Sequence, residues 1–341
     1  MGCWLALTAL RDGRPAVVSA AVVFLLAGVS PLSGQSAWTP VKNEANVSIV
    51  FQQIDFNGHF WSDGSKHEND VASRAFLGIV EFDYGLTDKL AFTARLPYVA
   101  SQFTGHDDPA TVEFLQFYED VRQSTQVGEA FRSLDTGSFY STFQDFGLTL
   151  RYNARTRGVV LTPLIGVTIP SHDYRTVGEA APGPNRLALQ AGVNAGRFLE
   201  PLLPAAYVHA RYTYSLVQRL HGVRIDHSNA EFELGYAVNH LVSVRGLGAW
   251  GHLHGGLTYE GTLEDPFLFL DHDRLLSSKY WHVGGGATVA LTDSLDLDAA
   301  VVSFVSGADT HYGVGVTVGA TWRFSPPVAA SPARLISPRP R

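Results

Sequence analysis

In many segments of this sequence, apolar residues alternate with small or polar ones. Charged residues fall at the small or polar positions of these segments. In residues 145–153, for example, Asp145 and Arg151 share one face, while the other face is apolar throughout. The charges assigned in this way to the face opposite the apolar one are Glu81, Asp83, Arg95, Asp145, Arg151, Arg211, Glu231, Glu233, Arg245, Asp296, Asp298 and Arg323. Carboxylates and guanidinium groups spaced like this on adjacent strands can pair with one another, or can bind charged and polar solutes.

Seven acids against five arginines make this set nearly neutral, and two roles are open to it. The charges could form a structural network that braces the inside of a closed sheet. Alternatively, some of them could line a path for solutes and determine which solutes pass. Both roles require the charged faces of many strands to point toward one enclosed space.

A β-strand with one apolar and one polar face would explain this pattern, and the clearest example lies near the end of the chain, in residues 310–324. Apolar residues from Tyr312 to Phe324 alternate there with small or polar residues from Gly313 to Arg323. Strict period two over about 9 to 11 residues suits a tilted strand that crosses a bilayer. Aromatic residues at both ends of the apolar face suit the two membrane interfaces. We interpret this stretch as the closing strand of an outer-membrane barrel, with the Tyr312 face toward lipid.

Strand-like segments of the same kind follow one another through most of the chain. They lie at about residues 45–55, 73–85, 89–103, 138–154, 158–171, 185–199, 204–218, 228–238, 241–255, 277–291, 295–306 and 310–324. Tight and longer connections alternate between them, as short periplasmic turns and long outer loops do in bacterial barrels. The prediction is an all-β fold: a transmembrane antiparallel up-and-down β-barrel of about 12 strands, with the N- and C-termini periplasmic.

The predicted barrel is narrow. Twelve strands about 4.8 Å apart and tilted by about 40° give a backbone diameter of about 24 Å, which long inward side chains could largely fill. The longest outer connection, residues 104–137, carries Phe114, Phe117 and Val121 at helical spacing. These three residues are a candidate loop gate if the helix folds into the mouth of the barrel. The alternative is a cap that packs on its own loop.

Three regions are expected along the chain: a cleaved signal peptide at 1–37, the barrel at 38–324 and a disordered Pro-rich tail at 325–341. In the leader, Arg11 and Arg14 precede an apolar run and then small residues, which places cleavage near Ala37. An N-terminal membrane anchor is the alternative interpretation of this run. Prolines prevent the tail from extending a strand ladder.

Other chemistries have little support in the sequence. The net charge of -7 argues against nucleic acid as a partner, and the single cysteine, Cys3, lies in the leader. Histidine pairs such as His252 with His254 lack the ligand count of a dedicated metal site. Ser303 and His282 lie on neighbouring predicted strands, but no orienting third residue accompanies them. We therefore predict no catalytic residue, no metal and no cofactor.

Several segments carry a family resemblance: Tyr84–Leu90 leading to Leu96–Tyr98, Asp145–Asn153, Thr162–Ser171, and Ser306–Gly307 leading to Trp322–Phe324. Together they resemble the outer-membrane proteins of the meta-pathway phenol-degradation family. The resemblance covers most of the mature chain and implies a barrel that passes small, often aromatic or hydrophobic, molecules. Two features depart from it: Phe143 to Phe146 replace a more usual glycine-rich lead-in, and a tail continues beyond Phe324.

These observations together predict a monomeric outer-membrane channel or transporter with a narrow or gated lumen for small solutes. Its expected partners are outer-membrane lipid, the solute and, during insertion, the barrel assembly machinery, which recognises a terminal aromatic such as Phe324. The alternative is a structural or surface-interaction barrel whose lumen is plugged and whose outer loops bind a partner.

Overall fold

The computed structural model describes residues 37–104, 134–155, 158–262, 268 and 271–325, which are built largely of antiparallel strands. The strands are β1 (Ala45–Phe60), β2 (Lys66–Gly85), β3 (Leu90–Thr104), β4 (Tyr140–Phe143), β5 (Phe146–Tyr152), β6 (Ala154–Arg155), β7 (Val160–Ile169), β8 (Ala188–Phe198), β9 (Ala206–Val217), β10 (Ile225–Ala237), β11 (Val242–Gly255), β12 (Lys279–Ala290), β13 (Leu295–Ala308) and β14 (Thr310–Phe324). Two short helices, α1 (Tyr259–Thr262) and α2 (His272–Leu275), lie between β11 and β12.

The strands close into one barrel. Consecutive strands pair antiparallel, and β1 pairs with β14 from Ala45 opposite Phe324 to Phe60 opposite Thr310. Because β4, β5 and β6 succeed one another between β3 and β7, they share one wall position, and the barrel has twelve positions. This confirms the predicted twelve-stranded antiparallel barrel. Closure pairs the two edges that an open sheet would expose.

The two ends of the barrel differ. One end, the turn end, carries tight connections such as residues 86–89, and both Ala45 and Phe324 lie there. The other end, the loop end, carries the longer connections. β1 and β2 stay paired past a bulge after Phe56, so the first outer connection is a short hairpin. The predicted strands at 45–55 and 73–85 left a long loop between them, over residues 56–72, and that prediction is wrong. That the turn end faces the periplasm stays a prediction.

The outward faces of the strands form an apolar belt. Its large side chains include Ile49, Phe51, Val80, Phe82, Leu150, Ile165, Val193, Tyr212, Phe232, Leu234, Val244, Trp281, Val301 and Val316. Exposing so much apolar area to water would be unfavourable, at about 25 cal/mol for each Å². A belt of this kind suits hydrocarbon, and the barrel is a membrane-spanning one. Among the described residues, no helix is long and apolar enough to cross a membrane.

One outward residue does not face lipid as expected. Tyr312 is buried against Phe60, with ring centroids 5.4 Å apart. The ammonium group of Lys66 lies 3.9 Å from the centre of the Tyr312 ring. The extended β1–β2 hairpin brings both neighbours to this position, which explains why strand periodicity alone assigned Tyr312 wrongly.

The inward faces divide the lumen into two halves. Toward the loop end, buried apolar side chains from β1, β2, β3, β12 and β13 lie together: Val50, Ile54, Phe56, Leu77, Ile79, Val99, Tyr280 and Phe304. Toward the turn end and around the middle, the inward side chains are mostly charged or polar. Periodicity could not locate the apolar half, because β1 is apolar on both faces there, with Ile54 inside and Phe51 outside.

Candidate functional site

Ion pairs between strands hold the turn half of the lumen. Arg151 donates to Asp83 at 2.5 Å, and both side chains are at most 3% exposed. Thr93 donates a further hydrogen bond to Asp83 at 3.0 Å. The other pairs are Arg245 with Asp298 at 3.2 Å, Arg211 with Glu231 at 4.0 Å, and Arg323 with Asp296. Because a buried charge is costly without its partner, these pairs brace the wall as complementary sets.

Four charges, which we call the constriction, face one another across the middle of the lumen. Glu81 lies opposite Arg95 in the β2–β3 ladder, and Arg211 lies opposite Glu231 in the β9–β10 ladder. These two ladders occupy opposite sides of the twelve-position barrel. Nevertheless, Arg95 interacts electrostatically with both Arg211 and Glu231, and Glu81 interacts with Arg211. The charges on the two sides of the lumen are therefore close enough to act on one another.

Beside the constriction, Asn194 presents unused hydrogen-bonding groups. It lies opposite Arg211 in the β8–β9 ladder and is fully buried. Within the described part of the chain, neither atom of its side-chain amide has a hydrogen-bond partner, and the same holds for Nε of Arg211 and Nε2 of His209. Burying polar groups without partners is unfavourable. This patch is therefore suited to bind the polar group of a molecule inside the lumen.

Residues 37–44, the N-terminal strap, cross the turn end of the lumen. At one side, the backbone N–H of Asn43 donates to the carbonyl oxygen of Gly85 at 2.8 Å. At the other side, Thr162 of β7 donates to the carbonyl oxygen of Ala37 at 2.6 Å. The strap is not fully extended, because the N–H of Glu44 donates to the carbonyl oxygen of Val41 at 3.0 Å. Since β2 and β7 lie three positions apart in the twelve-position wall, the strap covers part of the turn end.

Trp38 anchors the strap among inward aromatic side chains. The centroid of its ring lies 5.0 Å from that of Phe198 and 5.8 Å from that of Tyr207. The wall makes room for this segment at Gly196, where an added Cβ would lie 2.8 Å from the Cβ of Ala37. Any larger residue at that position would displace the strap or the wall. The strap is therefore fitted to the barrel and obstructs its turn end.

Residues 172–187, the inserted loop between β7 and β8, fold into the loop end. Val177 and Ala180 are buried. Ser101 of β3 donates to the carbonyl oxygen of Ala180 at 2.5 Å, so the loop reaches the wall on the far side of β4 and β5. Asp135 accepts the backbone N–H of Ala180 at 2.8 Å. The inserted loop therefore obstructs part of the barrel mouth.

Tyr174 secures the inserted loop to the wall. Its hydroxyl donates to Oδ1 of Asp145 at 2.6 Å and accepts the backbone N–H of Asn185 at 2.9 Å. Burial raises the pKa of Tyr174, and the Asp145 carboxylate raises it further, so this hydroxyl remains a donor at neutral pH. Asp145 thus contacts the inserted loop instead of facing an open lumen.

Aromatic rings and histidines line the loop half of the lumen. The rings of His59 and His311 lie 4.3 Å apart, and His311 lies 5.4 Å from Phe56. His282 packs 5.2 Å from Phe304. Ring faces and edges at these distances make favourable contacts with one another and with any aromatic molecule of matching size. This half is chemically suited to apolar or aromatic solutes.

A serine and a histidine meet on the outer face, a pair that sequence reasoning missed. The Oγ of Ser228 lies 2.7 Å from Nε2 of His254 and 2.9 Å from the hydroxyl of Tyr212. Ser228 is fully buried beneath these neighbours. Because a nucleophile must be reached by its substrate, we interpret this pair as structural. Ser303 and His282 lie on opposite faces of the wall, one exposed and one buried, and cannot act together.

Histidine and carboxylate side chains do not assemble into a metal centre in the ranges that the structure describes. There, no group of three or more His, Cys, Asp or Glu side chains is arranged to hold a metal ion. His252 and His254 lie close, with ring centroids 4.4 Å apart, but they pack edge to face on the outer face of the wall.

The structure places the predicted lumen charges along the inward wall of the barrel and brings most of them into pairs with one another. The predicted gate residues Phe114, Phe117 and Val121 lie outside the described residues. Sequence reasoning missed the strap and the inserted loop. A signal existed for the loop, since residues 177–184 are small or apolar with one charge, unlike a solvated connection.

No protein-family model matches the sequence, and no curated protein matches it. The structure is similar to that of the COG4313 outer membrane channel from Pseudomonas putida F1, with a TM-score of 0.63 and 14% identity over 86% of this chain and 100% of that chain. Weaker likenesses are to the NanC porin (TM-score 0.45, 8% identity, 81% of this chain and 98% of that chain) and the P. putida toluene transporter TodX (0.42, 12%, 92% and 99%). At this identity the first similarity shows a shared barrel fold. The two weaker likenesses, with TM-scores below 0.5, add no evidence about this chain.

Proposed function

We propose that this chain forms an outer-membrane channel for small solutes, kept closed by its own segments. The observation that carries the proposal is the constriction. In the constriction, the charged pair on one wall interacts with the charged pair on the opposite wall. Bracing the sheet would need only pairs between neighbouring strands, so charges that act across the lumen indicate an additional role. Charges that meet across a lumen act on any ion or polar group that passes between them.

The two halves of the lumen support a solute with an apolar body and a polar group. The loop half offers rings such as Phe56, Phe304 and His311, while Asn194 and Arg211 below offer unused hydrogen-bonding groups. A small aromatic or hydrophobic molecule fits this arrangement, with its apolar body in the loop half and its polar group near Asn194 and Arg211. This agrees with what the resemblance to the phenol-degradation family implies, and the family membership itself is part of the proposal.

Charge reversal at the constriction tests the channel. Arg211→Glu should shift the ion preference in planar bilayers toward cations by several-fold, because it replaces one of the two cations of the constriction with an anion. Arg211→Gln should give a smaller shift in the same direction. Arg74→Glu is the matched control, since Arg74 is half exposed and pairs with Asp55 outside the constriction. The proposal fails if neither the full protein nor a variant lacking residues 38–43 passes ions or solutes into liposomes.

Obstruction of both ends favours a second candidate function, a surface-interaction barrel with a permanently plugged lumen. The strap and the inserted loop are fixed by several hydrogen bonds each. This candidate requires that removal of the strap leave permeability unchanged, whereas the channel requires permeability to rise. Liposome swelling with sugars of increasing size separates the two.

A further inference from the structure

Asp271 lies buried between a guanidinium group and an imidazole ring at the loop end. Its Oδ1 accepts hydrogen bonds from Nη2 of Arg274 at 2.5 Å and from Nε at 3.1 Å. Its Oδ2 lies 2.6 Å from Nε2 of His221. Asp271 and Arg274 are each about 4% exposed, so the pair is shielded from solvent. Both carboxylate oxygens are therefore engaged by different elements.

These contacts join three connections of the barrel mouth. Asp271 and Arg274 belong to the connection between β11 and β12, whose described residues 271–278 we call the cap loop, and His221 belongs to the turn between β9 and β10. Arg274 also donates, through Nη1, to the carbonyl oxygen of Pro184 in the inserted loop at 2.9 Å. The cap loop has an apolar anchor of its own, since Leu275 clusters with Leu253 of β11 and with Leu220 of the turn between β9 and β10.

A second arginine faces the same carboxylate. Burial lowers the pKa of Arg186, which belongs to the inserted loop, and the nearby charge of Arg274 lowers it further, whereas Asp271 acts in the opposite direction. The inserted loop and the cap loop thus each bring an arginine toward Asp271. Asp271 thus offsets part of the repulsion between the two arginines. Asp173 and Asp145 act on Arg186 in the same direction.

We propose that Asp271 is a latch that holds the inserted loop against the cap loop, and that losing its charge releases the inserted loop from the mouth of the barrel. The proposal rests on the channel function for its physiological meaning, because a latch matters when the mouth opens. Its structural content is independent of solute passage. Arg274 supplies the link to Pro184, and the position of its guanidinium group depends on its two hydrogen bonds to Asp271.

Thiol accessibility tests the latch without relying on conductance. Val177→Cys in a Cys3→Ser background places a nearly isosteric thiol at a buried position of the inserted loop, in an otherwise cysteine-free chain. A membrane-impermeant maleimide should label it slowly. Adding Asp271→Asn should raise the labelling rate at least about tenfold, since exposure then requires only a local opening. Arg274→Met, which removes the Pro184 contact, should also raise it.

The matched control is Asp63→Asn, the same substitution at an exposed carboxylate of the loop end, where Asp63 accepts the N–H of Ser65 at 2.8 Å. It should leave labelling unchanged. Heat-modifiable migration on gels verifies that every variant is a folded barrel. Equal labelling of folded Asp271→Asn and Asp63→Asn variants overturns the latch. A rise in labelling with no conductance from any variant keeps the latch and refutes the channel, so the two failures are distinguishable.

Discussion

The turn half and the loop half of the lumen are stabilised by different physics. In the turn half, charges such as Asp83 and Arg151 are buried in pairs, and each member depends on its partner. In the loop half, side chains such as Ile54 and Phe304 pack without directional partners. Charged walls give specificity and are sensitive to single changes, whereas apolar walls tolerate exchange of similar volumes. In the proposed channel, the turn half would therefore be the selective part and the loop half the permissive part.

The two closing segments, the strap and the inserted loop, also lie at different ends of the lumen. The strap crosses the polar half through hydrogen bonds and ring contacts with the wall, as between Thr162 and Ala37. The inserted loop enters above the apolar half and is itself made largely of small residues, with Val177 and Ala180 buried. Both closing segments are therefore held by hydrogen bonds, and the inserted loop adds buried small residues to them. Substitutions in the two halves should differ in size and in kind.

The largest effect is expected from breaking a buried pair. Arg151→Met leaves Asp83 buried without its counter-charge and should lower the free energy of unfolding by about 3–5 kcal/mol. The double variant with Asp83→Asn should recover a large part of this loss, because no lone charge remains. Denaturant unfolding in detergent micelles, followed by tryptophan fluorescence, measures both.

The matched control for this pair is Arg74→Met. Arg74 pairs with Asp55, but its side chain is 50% exposed, so the loss should be below about 1 kcal/mol. A loss as small for Arg151→Met would show that the turn half is solvated and that its charges are not a mutually dependent network.

A smaller effect is expected in the apolar half. Ile54→Ala removes a fully buried side chain and should cost about 2–4 kcal/mol, through lost burial and the cavity left behind. Ile49→Ala on the same strand should cost less, since Ile49 faces outward and is 51% exposed. The same unfolding measurement compares them. Equal losses would contradict the assignment of Ile54 to a packed inner cluster.

The smallest effect on stability is expected from the strap. Trp38→Ala removes the ring contacts with Phe198 and Tyr207 and should cost about 1 kcal/mol. Its effect on conductance should be clearer, with longer open times in planar bilayers, because the strap loses its anchor. Gly196→Leu, which places bulk against Ala37, should act in the same direction. Unchanged open times in both variants would mean that the strap does not close the channel.

Much of the barrel could be predicted from the sequence. The period of two along strands such as β14, and the alternation of turns and loops, led to twelve wall positions and to a closing pair between the first and last strands. The candidate charges followed from the same alternation. Both depend on local pattern alone, since facing along a strand is decided within the strand.

What the sequence by itself determined is therefore the wall: its strands, its apolar outside and its charged inside. Only the tertiary structure decided what lies within the wall. The strap, the inserted loop and the latch at Asp271 join residues far apart in the chain, as between Ala37 and Thr162 or Arg274 and Pro184. No periodicity marks such contacts, because they arise from closure of the barrel, which brings opposite strands to a common interior.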